Sequence, residues 1–169
     1  MRPMIGVELN TDDVAAVQHF RSTLLAQDWP SAVTIGRTIE GSAVFRVWAG
    51  RDYGGYRYPP FQFLKSGSVN PKLAELMDAL ARRSDLHPSH DKSGWERAFW
   101  LYQPRGRLSL QALALRAATP REVREDPGRF AILPDDGRTP AAVFPDDAQA
   151  VIDLANEDAD QLSPGVALT

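Results

Sequence analysis

Two histidines and a carboxylate lie close together in His87-Pro88-Ser89-His90-Asp91. Imidazoles three residues apart beside an aspartate are the beginning of a zinc-type ligand set. Pro88 argues against a helix presenting both rings on one side, and a third protein ligand would have to come from elsewhere in the chain. A polar loop is the plainer reading of His87, His90 and Asp91, and no metal is expected. Carboxylate pairs occur at Asp135-Asp136 and Asp146-Asp147. Such pairs can take a cation, but here they serve better to solvate a loop or cap a helix. The sequence contains no G-x-S-x-G and no G-x-x-x-x-G-K-[ST], and Gly54-Gly55 has no Lys-Ser/Thr after it. Cysteine is absent, which excludes a disulfide framework and thiolate chemistry. No catalytic centre and no cofactor follow from these residues, so the expectation is a binding protein and not an enzyme.

Binding chemistry is better represented. Arg46, Arg51 and Arg57 alternate with Trp48, Tyr53 and Tyr56, and Arg37 lies just upstream. Guanidinium groups for phosphates and aromatic faces for stacking are what a nucleic-acid contact needs. The plainer alternative is a surface hairpin whose aromatics pack down. Charge is divided along the 169 residues: 31–130 hold sixteen Lys/Arg against ten Asp/Glu, while 131–169 hold one arginine against eight acidic residues. A basic middle and an acidic end point to two different partners, to an end that folds back on the middle, or to two faces that are simply solvated.

The elements that would position these groups follow from periodicity and punctuation. Residues 11–28 read as a helix capped by Thr11, with Val14, Val17, Phe20 and Leu24 as its apolar stripe and Trp29-Pro30 as its stop. Residues 43–48 and 56–58 read as two short strands around a glycine-rich turn. Asn70-Pro71 starts a helix whose inner face is Leu73, Leu76, Met77 and Leu80. Ser93-Gly94-Trp95-Glu96 has the form of a capping box. In the helix after it, Trp95, Ala98, Phe99 and Tyr102 share one face, and Trp100 is turned away by about 140°. That orientation makes Trp100 the candidate anchor for a partner. Leu108 to Ala118 reads as a further helix, and Thr119-Pro120-Arg121-Glu122 as a second capping box. Asp126-Pro127 begins one more turn, with Phe130, Ile132 and Leu133 behind it. Residues 134–145 read as a linker or lid, 146–162 as an acidic helix and 163–169 as a short tail.

One ordered set of motifs resembles a known family. Tyr58-Pro59-Pro60-Phe61-Gln62-Phe63, then Gly67-Ser68-Val69-Asn70-Pro71, then Gly94-Trp95 through Trp100-Leu101, then Leu108 and Thr119-Pro120, resemble the toxin-binding domain of the Xre/MbcA/ParS antitoxins over residues 56–126. The resemblance implies an α-helical antitoxin of a type II toxin–antitoxin pair. Its partner would be a cognate toxin of the RES type, attacking NAD, or a related toxin. It also implies that the C-terminal end enters the toxin's active site. That points to Asp146, Asp147, Asp153, Glu157, Asp158 and Leu162, with Trp100, as toxin contacts. Many members carry an N-terminal helix-turn-helix that binds their own promoter; residues 11–56 show no clean helix-turn-helix. The family also has a short Leu-Gly-Gly link before its Thr-Pro start, where this chain continues as Leu108-Ser109-Leu110-Gln111.

The expected fold class is mainly α, a small helical domain with a short N-terminal β-hairpin. Three segments are expected: 1–56 as a reduced DNA-binding module, 57–133 as the toxin-binding-like domain, and 134–169 as acidic linker, helix and tail. Expected partners are a cognate toxin and promoter DNA, with a homo-oligomer as a further option through the helix that holds Trp95 and Tyr102. The alternatives are a DNA-binding transcriptional regulator without a toxin and a protein-interaction or oligomerisation module. The start lacks the apolar stretch of a signal peptide and no apolar run reaches membrane-span length, so a cytoplasmic location is expected.

Overall fold

The computed structural model of the chain describes residues 13–35 and 44–162. Helix α1, Val14–Leu25, is capped by Asp13, whose Oδ1 accepts the Ala16 N–H at 3.1 Å. Thr11, the expected cap, lies outside the described residues. Phe20 and Leu24 face inward as the stripe predicts, whereas Val14 is exposed. The helix ends at Leu25, short of the expected Trp29-Pro30 stop, and a single turn, α2 (Ala32–Ile35), follows that dipeptide.

The hairpin forms where expected and is shorter. Strand β1 (Val47–Trp48) pairs antiparallel with β2 (Tyr56–Arg57), with Val47 opposite Arg57 and Trp48 opposite Tyr56. After Pro59-Pro60 the chain makes one 3-10 turn, Pro60–Gln62, and buries Phe61 and Gln62. Gln62 is fully enclosed. Its amide receives the Phe45 N–H at 2.7 Å and donates to the Phe45 carbonyl at 2.7 Å and the Pro59 carbonyl at 2.9 Å. One side chain thus supplies the pairing that a third strand would have given residue 45.

Helix α3, Leu73–Ala81, buries Leu73, Leu76, Ala79 and Leu80. Asn70 lies two residues before the cap position, Lys72: its Oδ1 accepts the Lys72 N–H at 2.9 Å and its carbonyl accepts the Leu73 N–H. Pro71 therefore belongs to this entry turn. Helix α4, Trp95–Leu101, is central, with Trp95, Ala98, Phe99, Trp100 and Leu101 all buried. The expected Ser93 box does not form there. The capping carboxylate is Asp91, which takes the Glu96 N–H on Oδ1 and the Arg97 N–H on Oδ2, each at 3.1 Å. Gly94 sits at φ +84, and a Cβ there would lie 2.3 Å from the Arg46 carbonyl oxygen. That contact explains why glycine stands between the loop and α4: it lets the backbone pass close to the hairpin.

Helices α5 (Leu110–Ala117), α6 (Pro120–Glu125) and α7 (Pro127–Ala131) follow in short succession. Both halves of the Thr119/Glu122 capping box are present. Phe130 is buried, but Ile132 is 84% exposed and does not pack behind it as expected. Residues 134–145 are part of the body and not a lid. Arg105 and Arg138 form a β-bridge, and Thr139-Pro140 starts α8 (Pro140–Val143), burying Ala141, Val143 and Phe144. Helix α9, Ala148–Leu162, then lies along α3 with Val151, Ile152, Leu154, Ala155 and Ala159 inward. Asp147 caps it, accepting the Ala150 N–H at 3.2 Å.

The architecture is mainly α with a small two-stranded sheet, as expected. Leu24 and Phe45, Leu76 and Trp95, and Phe144 and Val151 belong to one continuous core, so the segments divided at 56 and 133 are not separately cored. Among the described residues no helix is long and apolar enough to cross a membrane.

Candidate functional site

Trp100 does face away from Trp95, but that side is not solvent. It is the interface with α9, and only 3% of Trp100 is exposed. Its indole Nε1–H donates to Asp158 Oδ2 at 2.8 Å, and the Arg105 guanidinium carbon stands 5.4 Å from the ring centroid. A helix that is apolar nearly all round is buried on every side. The expected outward anchor is therefore an internal one, and a partner reaches Trp100 only if α9 moves.

The acidic end folds back on the basic middle, one of the three outcomes that the charge division allows. Four acidic residues and no basic ones occur in α9. Glu157 pairs with Arg107 at 3.1 Å and with Arg116 at 2.5 Å; Arg116 also comes within 3.9 Å of Asp153. Arg82 binds Asp160 and, at 2.9 Å, the Asn156 side chain. Asp158 is taken by Trp100. Asp146 and Asp147 sit at the start of the helix, exposed, and Leu162 is exposed at its end. Thus Asp153, Glu157 and Asp158, expected to be offered to a partner, are engaged within the chain. Arg82, Arg107, Arg116 and Asp160 were not among the expected site residues. The opposed charges of the two segments were the signal for them, but charge totals do not say which arginine meets which carboxylate.

The hairpin arginines divide by role. Arg46 lies over the Tyr56 ring, 3.7 Å from its centroid, and Tyr56 meets Trp48 edge-on at 4.9 Å. This cation–aromatic–aromatic stack is surface chemistry: Arg46 is exposed, and Trp48 and Tyr53 are close to half exposed. Arg51 is exposed in the turn. Arg57 is a strut, its Nε donating to the Tyr53 carbonyl at 2.8 Å and its Nη1 to the Trp29 carbonyl at 3.2 Å. Arg37 lies outside the described residues. Between the hairpin and α1 runs a groove of about 410 Å³ lined by Arg21, Leu25, Trp48, Tyr53 and Trp95.

In the histidine loop the carboxylate is committed to the fold. Asp91 is buried, caps α4 and holds Arg97 Nε at 2.8 Å. His87 Nδ1 is 2.7 Å from Ser89 Oγ. Among the described residues no group of three or more His, Asp or Glu is placed to hold a metal. Near this loop, burial raises the Glu96 carboxyl pKa, and Asp91 and Asp85 push it the same way against Arg21 and Arg83. Burial also raises the Tyr102 phenol, keeping it neutral.

No family model matches the chain, and neither a curated protein nor a solved structure was found to be similar to it.

Proposed function

We propose that the protein is an antitoxin-type binding protein that neutralises a partner toxin, with the acidic face of α9 as a principal contact. The single observation that carries this reading is the seating of a helix whose four charged residues are all acidic on the unit built by the antitoxin-like motifs. Tyr58, Phe61 and Gln62, α3, α4 and Leu108 are buried together, and α9 lies on α3 with Asp153, Glu157 and Asp160 at its solvent edge. Carboxylates of one sign along the outer edge of a helix suit recognition of a basic cleft and speed encounter with it, the partner's cations taking the place of Arg82, Arg107 and Arg116. A RES-like toxin, as the motif resemblance implies, is the partner class proposed.

The test is co-expression with the product of the adjoining reading frame. The wild-type chain should co-purify with it and restore growth. A triple variant, Asp153→Asn, Glu157→Gln, Asp160→Asn, should keep its helical circular dichroism and lose neutralisation. Full neutralisation by that variant would remove α9 from the contact, and absence of any complex with the wild type would remove the antitoxin reading. Truncation before α9 is unsuitable, because it strips Val151, Ile152, Leu154 and Ala155 from the core.

A second reading, contact with promoter DNA, is favoured by the exposed Arg46–Tyr56–Trp48 stack beside Arg51. It predicts that Arg46→Ala with Arg51→Ala abolishes a low-salt mobility shift on the promoter; an unchanged shift sinks it.

A further inference from the structure

The distribution of apolar and polar contacts along α9 is uneven. Val151, Ile152, Leu154 and Ala155 anchor its first half in the core, whereas beyond them only Ala159 is buried. The last two turns are held by polar links: Asn156 and Asp160 to Arg82, Glu157 to Arg107 and Arg116, and Asp158 to Trp100. The ion-paired side chains are between a third and two thirds exposed. Exposed guanidinium–carboxylate pairs are weak and screened by salt. The groups that hold these two turns are of a different kind: three guanidinium groups, from Arg82, Arg107 and Arg116, and the indole N–H of buried Trp100, whose ring carries Arg105 at 5.4 Å. The three guanidinium groups come from three separate elements: the end of α3, the turn before α5, and α5 itself.

We propose that the last two turns of α9 are a releasable strap over a cationic–aromatic surface formed by Arg82, Arg107, Arg116 and Trp100, and that this surface takes an acidic helix of a partner when the strap lifts. The chain's own α9 shows which chemistry fits: carboxylates one helical turn apart for the guanidinium groups, and one more between them for the indole N–H. A segment so attached opens locally at less cost than global unfolding. While closed it outcompetes a free segment through its high effective concentration. The surface therefore becomes available when the strap's own carboxylates are drawn elsewhere. The proposal stands whether or not the partner is a toxin.

Hydrogen exchange on the full chain tests the strap. Amides at 157–162 should exchange before those of α3 and of 151–155, and about tenfold faster when salt is raised to screen the pairs. Exchange of all three sets in one global event would overturn it. The surface is tested with a synthetic peptide of residues 146–162 added to Glu157→Gln/Asp160→Asn, which loosens the strap and leaves the arginines intact. The peptide should bind and move the Trp100 indole N–H resonance, and adding Arg107→Ala/Arg116→Ala should abolish both effects. No binding at millimolar peptide, or binding indifferent to the arginine changes, would overturn the assignment.

Discussion

The indole N–H of Trp100 donates to the Asp158 carboxylate across 2.8 Å, joining α4 to α9. Replacing Asp158 with alanine strands that N–H in a buried site, at a cost of about 1–3 kcal/mol. Asparagine keeps an acceptor oxygen and should cost less than half as much. Urea unfolding of the two variants checks the order; equal loss for both would mean that the hydrogen bond is not what holds α9 to α4.

Gln62 predicts a larger effect. Its side chain serves the Phe45 N–H and two carbonyls in a site closed to solvent. Gln62→Leu preserves bulk and leaves those groups unpaired, which should destabilise the chain by on the order of 3 kcal/mol. Chemical denaturation measures it, and a change below about 1 kcal/mol would show that water or a backbone shift replaces the amide.

Glu96 gives a pH dependence of unusual sign for a carboxylate. Its folded pKa lies above the ordinary 4.5, so the native state holds the proton more tightly than the unfolded chain does. Its contribution to stability is fully present below the ordinary value and is lost as pH rises through the raised one. Glu96→Gln should therefore be more stable than wild type at neutral pH, the gain shrinking to nothing as pH falls below the usual carboxylate range. Urea midpoints across that range decide; a variant less stable than wild type at neutral pH contradicts the prediction.

The fold was legible where short-range rules decide it. The Thr119/Glu122 box and the strand pair around the glycine turn both form, while the first helix ends at Leu25, before the expected Trp29-Pro30 stop. Misreadings arose where tertiary packing chose between local options. Ser93 and Asp91 both precede α4, and a cap is selected by which carboxylate the loop brings to the free N–H groups. Residues 134–145 carry the Pro and Asp of a linker, yet Thr139-Pro140 is also a helix start, and Phe144 beyond it is core. Trp100 takes a face of α4 distinct from that of Trp95, but W-E-R-A-F-W-L has too few polar positions to leave that face in water. The arginines that hold α9 were not legible individually, since pairing between residues 41–78 apart depends on the finished fold.

The proposed neutralising contact is tested most directly by titrating the purified full chain into the purified product of the adjoining reading frame at low and at moderate salt. The account predicts a complex that weakens as salt rises, weakens further in the Asp153/Glu157/Asp160 variant, and blocks the partner's activity in proportion to occupancy. No complex at micromolar concentrations, or a complex that leaves the partner fully active, would contradict it.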